Sequence, residues 1–130
     1  MDNIEKEVKR IKQTNYVIFG LFVALLLGVI AIGVTYHYRH TFSTERWLRL
    51  PEERTKIVDD LLEDRSLVGM TEDEIVALLG EHNNDYGYFV EKNRYVYYLG
   101  PERGLISIDS EWLLLDFADG IVADYYIRTD

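Results

Sequence analysis

Residues Val17 to Thr35 read VIFGLFVALLLGVIAIGVT, nineteen positions without a charge. Coiled as a helix at ~1.5 Å per residue, this run is about 28 Å long, close to the thickness of a bilayer's hydrocarbon core. No water is available there, so the backbone has to satisfy its own hydrogen bonds, and a helix does that within one segment. A cleaved signal sequence has a shorter apolar region followed by a small-x-small site. Here the nearest such triplet, Ala31-Ile32-Gly33, lies inside the run. The expectation is an uncleaved single-pass transmembrane helix over residues 16–38. Tyr16, Tyr36 and Tyr38 bracket it as aromatic rings do at the membrane interface.

The flanks bear on orientation. Lys6, Lys9, Arg10 and Lys12 precede the span, whereas Arg39, Arg46, Arg49 and Arg54 follow it, three of them at a distance. The positive-inside rule weights charges close to the ends. It places the N-terminus in the cytoplasm and the C-terminal part outside it, with the chain in the cell (inner) membrane. Residues 1–15 form a polar arm whose Asp2/Lys6 and Glu5/Lys9 pairs stand four apart, acid before base, which favours a helix. Within the span, Gly20, Ala24, Gly28, Ala31 and Thr35 fall on one narrow stripe. Small residues at such spacing let two helix backbones approach closely, so this stripe is a candidate pairing face.

Residues 41–130 suffice for one small domain. They carry 20 Asp and Glu against 9 Lys and Arg, a formal charge of −11. A nucleic-acid partner is excluded on charge, because phosphate binding needs a basic face. The chain has no cysteine, which removes disulfides, thiol catalysis and thiolate metal sites.

Residues 39–50 read as a juxtamembrane linker whose apolar residues, Trp47, Leu48 and Leu50, are able to dock on the domain. The domain proper is then 51–130. Pro51 suits the first turn of a helix running to about Arg65. Ile57, Val58, Leu61 and Leu62 share one face of it, and Asp59, Asp60, Glu63 and Asp64 the other. Thr71 followed by Glu74 is a capping box opening a second helix. Ile75, Leu78 and Leu79 are its buried stripe, Gly69 permits a sharp reversal before it, and Gly80 occupies a left-handed C-cap position. Residues 81–93 are polar and irregular, with or without a short strand near Tyr86–Val90. Strands are expected over Arg94–Leu99, Glu111–Phe117 and Ile121–Arg128.

The register of the last hairpin follows from its two alternations. A two-residue Asp119-Gly120 turn sets Leu115 opposite the acid Asp124. A three-residue turn sets Phe117 opposite Ile121, Leu115 opposite Ala123 and Leu113 opposite Tyr125, keeping one face apolar. The expected fold class is α+β: a single transmembrane helix, then two helices packed on one face of an antiparallel sheet of three or four strands.

Gly69-Met70-Thr71, Ile75, Leu78-Leu79-Gly80, a tyrosine-rich strand and the string Leu113-Leu114-Leu115-Asp116-Phe117-Ala118-Asp119-Gly120-Ile121-Val122 together resemble the SmpA/OmlA (BamE-like) family of small envelope lipoproteins. The resemblance covers about Leu67 to Arg128. It implies a fold like that of β-lactamase-inhibitor proteins and a domain outside the cytoplasm. The chain departs from the family in having a membrane helix in place of a lipidated cysteine. It also lacks the proline that follows the Leu-Gly step, and it has an additional helix before the motif.

Catalytic chemistry is not expected. His37 and His40 are three apart but no third metal ligand is placed with them, His82 stands alone, and Ser107 and Ser110 have no histidine or acid at motif spacing. No cofactor, metal or small-molecule substrate is therefore anticipated. The more informative residues are aromatic. Alternation buries either Tyr95 and Tyr97 or Val96 and Tyr98, and Tyr125 and Tyr126 also lie on a strand. Exposed tyrosines are enriched at protein interfaces, so Tyr95, Tyr97, Tyr98, Tyr125 and Tyr126 are candidate anchors. The expected function is a membrane-anchored protein-interaction module of the cell envelope whose partner is another envelope protein. The alternative is an oligomeric membrane protein, a homodimer paired through the Gly20–Thr35 stripe.

Overall fold

Nothing in Asp2–His40 interrupts a helix: no proline occurs, and Asp2 and Glu5 complement the dipole of the first turn. In the computed structural model this whole stretch is one helix, α1, of 39 residues, and none of its residues is buried. The polar arm is thus its first turns, with Lys6 Nζ 3.9 Å from Asp2. α1 is long and apolar enough to cross a membrane. The structure describes residues 1–83 and 87–130, which divide into the units Met1–Tyr38 and Arg39–Asp130.

In the second unit the expected linker is part of the fold. Ser43 caps a short helix, α2 (Thr44–Arg49), by accepting from Arg46 N at 3.3 Å. Trp47 is fully buried, in edge-on contact with Phe42 and Tyr97. The single helix expected from Pro51 to Arg65 is two: a 3-10 helix, Pro51–Lys56, and α3, Val58–Asp64, with the break at Ile57 (φ −120°, ψ −7°). At three residues per turn, positions 54 and 57 lie on the same side. The tighter turn therefore buries Arg54 together with Ile57. α4 (Glu72–Leu79) begins with the expected capping box: Thr71 Oγ1 accepts from Glu74 N (3.2 Å) and Glu74 Oε2 from Thr71 N (2.8 Å). Gly80 ends it at φ +78° and ψ −168°. That is the extended positive-φ region open essentially to glycine alone, not the left-handed helical cap expected.

The sheet has three antiparallel strands in the order β1 (Arg94–Pro101), β2 (Ser110–Ala118), β3 (Ile121–Thr129). One further bridge joins Thr71 to Ile121. Residues 87–90 form a turn and bend with no strand, and the remainder of the expected Tyr86–Val90 strand, Tyr86, lies outside the described residues. The β2–β3 register corrects the expectation. Asp119 and Gly120 both have positive φ (52° and 78°), as a tight two-residue turn requires, and Ala118 faces Ile121. Ala123 is then an unpaired bulge residue, after which Asp116 faces Asp124 and Leu115 faces Tyr125. The bulge removes the Leu115–Asp124 clash that had counted against the short turn. It also shifts the phase: Val122 is buried, whereas Ile121 and Ala123 are exposed.

Tyr97 and Leu99, two apart, both point inward, and a second bulge at Leu99 resets the register so that Gly100 faces Glu111. The core lies between one sheet face and the short helices. Tyr97, Leu99, Leu113, Leu115, Phe117 and Val122 meet Trp47, Ile57, Val58, Leu61, Leu67, Ile75, Leu78 and Leu79. Val96 and Leu114, on the opposite face, are also only 1% exposed. Phe89 is tied to that face: Arg94 Nη1 donates to its carbonyl at 3.3 Å.

Candidate interaction surface

An antiparallel strand directs its backbone groups alternately to the two sides, so an edge strand has one row of donors and acceptors without a ladder partner. At β1 three groups of that row, Val96 O, Tyr98 N and Tyr98 O, are taken. Asn83 N donates to Val96 O (2.7 Å), Asn83 Oδ1 accepts from Tyr98 N (3.3 Å), and Arg54 Nη1 donates to Tyr98 O (2.9 Å). Arg54 is itself buried. It donates through Nε to Trp47 O at 2.8 Å, and its guanidinium lies 4.7 Å from the Trp47 ring centre. Burial depresses its pKa from the usual arginine value, the charge being matched by carbonyl dipoles and a ring face. At Gly100 (φ +126°) the strand passes so close to the 3-10 helix that an added Cβ would stand 2.5 Å from Glu52 O.

β3, at the other edge, is covered by the described residues only at its start. Gly69 N donates to Val122 O and Val122 N to Met70 O, each at 2.8 Å. The register then decides what remains. Val96 and Tyr98 bond away from β2, so Tyr97 and its partner Leu113 face one another. Trp112, Leu114 and Asp116 consequently pair with Arg128, Tyr126 and Asp124, which leaves the backbones of Tyr125, Ile127 and Thr129 pointing outward. Tyr125 N donates to Asp124 Oδ1 at 2.8 Å. Among the described residues, nothing pairs with the outward groups of Ile127 and Thr129.

The five candidate tyrosines fall into different settings. Tyr97 is fully buried, its hydroxyl donating to Gly80 O at 2.9 Å, and burial pushes its pKa far up. It is a core residue with no surface to offer. Tyr95 is half-buried on the same face, stacked on His82 at 3.8 Å and against Phe117 at 4.5 Å. Tyr98, on the opposite face, donates to Glu52 Oε2 at 2.8 Å and packs on Trp112. Tyr126 is held in a network across all three strands. Arg94 clasps Asp116 (2.6 and 3.2 Å) and donates to Tyr126 Oη (2.6 Å), which donates on to Asp116 Oδ2 (3.1 Å). The hydrogen bonds from Arg94 hold the Asp116 carboxyl below the usual carboxylate range, and burial, with that carboxylate beside it, raises the Tyr126 hydroxyl. Tyr125 is half-buried and packs against the core at the unpaired edge. The edge therefore joins Tyr125 and Tyr126 but leaves Tyr95, Tyr97 and Tyr98 on or near β1.

In α1, Gly20 and Gly28 have open space where a Cβ would stand. Thr35 donates to the Ala31 carbonyl at 2.8 Å, so its hydroxyl is satisfied within the helix, and Ala24 lies on the same unbroken element. Composition could not reveal Arg54 and Asn83 as closers of an edge, because each acts across a long sequence separation. No protein-family model and no curated protein sequence matches this chain.

Proposed function

We propose that this chain is a single-pass, membrane-anchored and non-catalytic protein-interaction module of the cell envelope. Its C-terminal domain takes up an extended segment of another envelope protein along β3. The observation that carries this reading is the asymmetry of the sheet: at β1, Asn83 and Arg54 bond the outward groups Val96 O, Tyr98 N and Tyr98 O, whereas among the described residues nothing pairs with those of Ile127 and Thr129. An added strand would gain main-chain hydrogen bonds there, and alternate side chains would meet Tyr125 and Ile127 on one face and Tyr126 and Arg128 on the other. The length and apolarity of α1 support the anchor. The positive flank before it supports a cytoplasmic N-terminus and an extracytoplasmic domain. The resemblance to SmpA/OmlA proteins supports an envelope setting.

The alternative is self-association through Gly20, Ala24, Gly28, Ala31 and Thr35, favoured by the continuity of α1 and the open space at Gly20 and Gly28. Photo-cross-linking in intact membranes separates the two. Probes at Ile127 and Thr129 are expected to give adducts with another envelope protein, and probes at Asn83 none. Adducts only to the chain itself, arising only from probes on the Gly20 stripe, would overturn the edge reading in favour of the oligomer.

A further inference from the structure

The loop between β1 and β2, residues 102–109, contrasts sharply with its base. Leu105, Ile106 and Ile108 are 105%, 75% and 84% exposed. Isolated exposed aliphatics are ordinary on protein surfaces, but three within four residues form a contiguous apolar tip. The base beneath them is tightly held. Glu102 N donates to Asp109 O (2.9 Å) and Ser107 Oγ to Glu102 O (2.7 Å). Arg103 donates from its backbone and side chain to the buried carboxylate of Glu111 (2.8–3.2 Å), and from Nη1 to Asp59 Oδ2 (2.8 Å). The backbone is thus fixed while the aliphatic side chains project away from it.

The place of this loop in the domain indicates what covers the tip. One open cleft of the Arg39–Asp130 unit is lined both by His40 and by Pro101, Arg103, Gly104 and Ser107. His40 is the last residue of α1, five positions beyond Thr35, where the apolar run ends. Only five residues of chain separate the two, a reach of under ~18 Å even fully extended, so connectivity alone keeps the loop base within reach of the end of the apolar run.

We propose that the β1–β2 loop inserts Leu105, Ile106 and Ile108 into the surface of the bilayer that holds α1, giving the domain a second membrane contact. The proposal rests on α1 spanning a membrane. The insertion is shallow, because an irregular backbone cannot leave water for the hydrocarbon interior. It draws on apolar burial and not on headgroup charge, since Glu102 and Asp109 flank the tip.

The test uses the full chain in phosphatidylcholine vesicles. The sequence has no cysteine, so Ile106→Cys, Leu26→Cys and Lys92→Cys each give one unique site for a nitroxide label. Lys92 is exposed and precedes β1, a strand of 8 residues, and so lies roughly 25 Å from the loop by strand rise. The expected result is that the label at 106 collides with oxygen more often, and with a water-soluble nickel complex several-fold less often, than the label at 92, with the label at 26 deeper still. If the label at 106 matches that at 92 while the label at 26 is shielded, the loop proposal is overturned and the span stands. That outcome would assign the tip to a protein partner instead. If the label at 26 is itself open to nickel, both readings fall.

Discussion

The two edges of this sheet are built from similar tyrosine-bearing strands yet end differently. β1 is closed by groups from two places: the 3-10 helix, which supplies the buried Arg54 and the Glu52 backbone packed against Gly100, and the asparagine after α4. Among the described residues β3 is closed only at Val122, where the turn before α4 reaches back to it. Leaving an edge open invites pairing with another chain, and proteins commonly blunt it with charge, proline or a bulge. β3 has its bulge at Ala123, before the open part, so it redirects the strand without blocking Ile127 and Thr129. One edge is therefore part of the stability of the domain, and the other is free to be part of its function.

The largest effects should come from the closed side. Trp47→Ala is expected to cost about 3–5 kcal/mol, because it empties a fully buried site beneath Arg54. The midpoint of urea unfolding measures this, and a loss below about 1 kcal/mol would break the assignment of α2 to the core. Gly100→Ala should cost about 2–4 kcal/mol, since its Cβ would meet Glu52 O at 2.5 Å in a positive-φ conformation. Thermal melting should show it, and a wild-type midpoint would mean that β1 and the 3-10 helix are not pressed together.

Arg54→Met keeps much of the side-chain volume but withdraws the donors to Trp47 O and Tyr98 O. About 1–3 kcal/mol should be lost, the unsatisfied carbonyls outweighing the relief of a desolvated charge. Amide exchange of β1 should accelerate with it, and unchanged exchange would contradict a role in closing the edge.

Asp116→Asn sharpens the comparison from the network that crosses both strands. The depressed folded pKa of Asp116 means that the native state binds fewer protons than the unfolded state between the two values. Its stabilisation is complete above the unfolded value, about pH 4, and is lost as pH falls through the depressed one. At its partial exposure the contribution is about 0.5–1 kcal/mol. Stability curves of wild type and variant should therefore converge in acid and separate near neutrality; parallel curves would exclude the Arg94–Asp116 pair as the source.

The smallest effect on folding belongs to the open side. Thr129→Pro removes an outward N–H that nothing described accepts, and should change stability by under about 0.5 kcal/mol. It should nevertheless lower the yield of cross-links from Ile127, and an undiminished yield would contradict strand addition.

What was legible in the sequence was local. The Thr71–Glu74 box depends on residues three apart, so its geometry could be read directly. The three strands were legible from alternation, but their register was not. A bulge at Ala123 exchanges one residue for a phase shift, and no count along the chain distinguishes that from a longer turn. Trp47 looked like linker because its burial depends on Arg54, Phe42 and Tyr97, all brought to it by folding. The tyrosines were visible as a group, but which of them the helices would cover was not. Tyr97 went to the core and Tyr126 into an ion-pair network. The Leu105-Ile106-x-Ile108 string between strands carried a signal that alternation alone passes over.

The most direct measurement is amide hydrogen exchange over residues 125–129, made on the purified chain in detergent and again in native membranes. The account predicts fast exchange at Ile127 and Thr129 in detergent and marked slowing in the native membrane, with β1 equally protected in both. Fast exchange at Ile127 and Thr129 in both settings would contradict strand addition at β3.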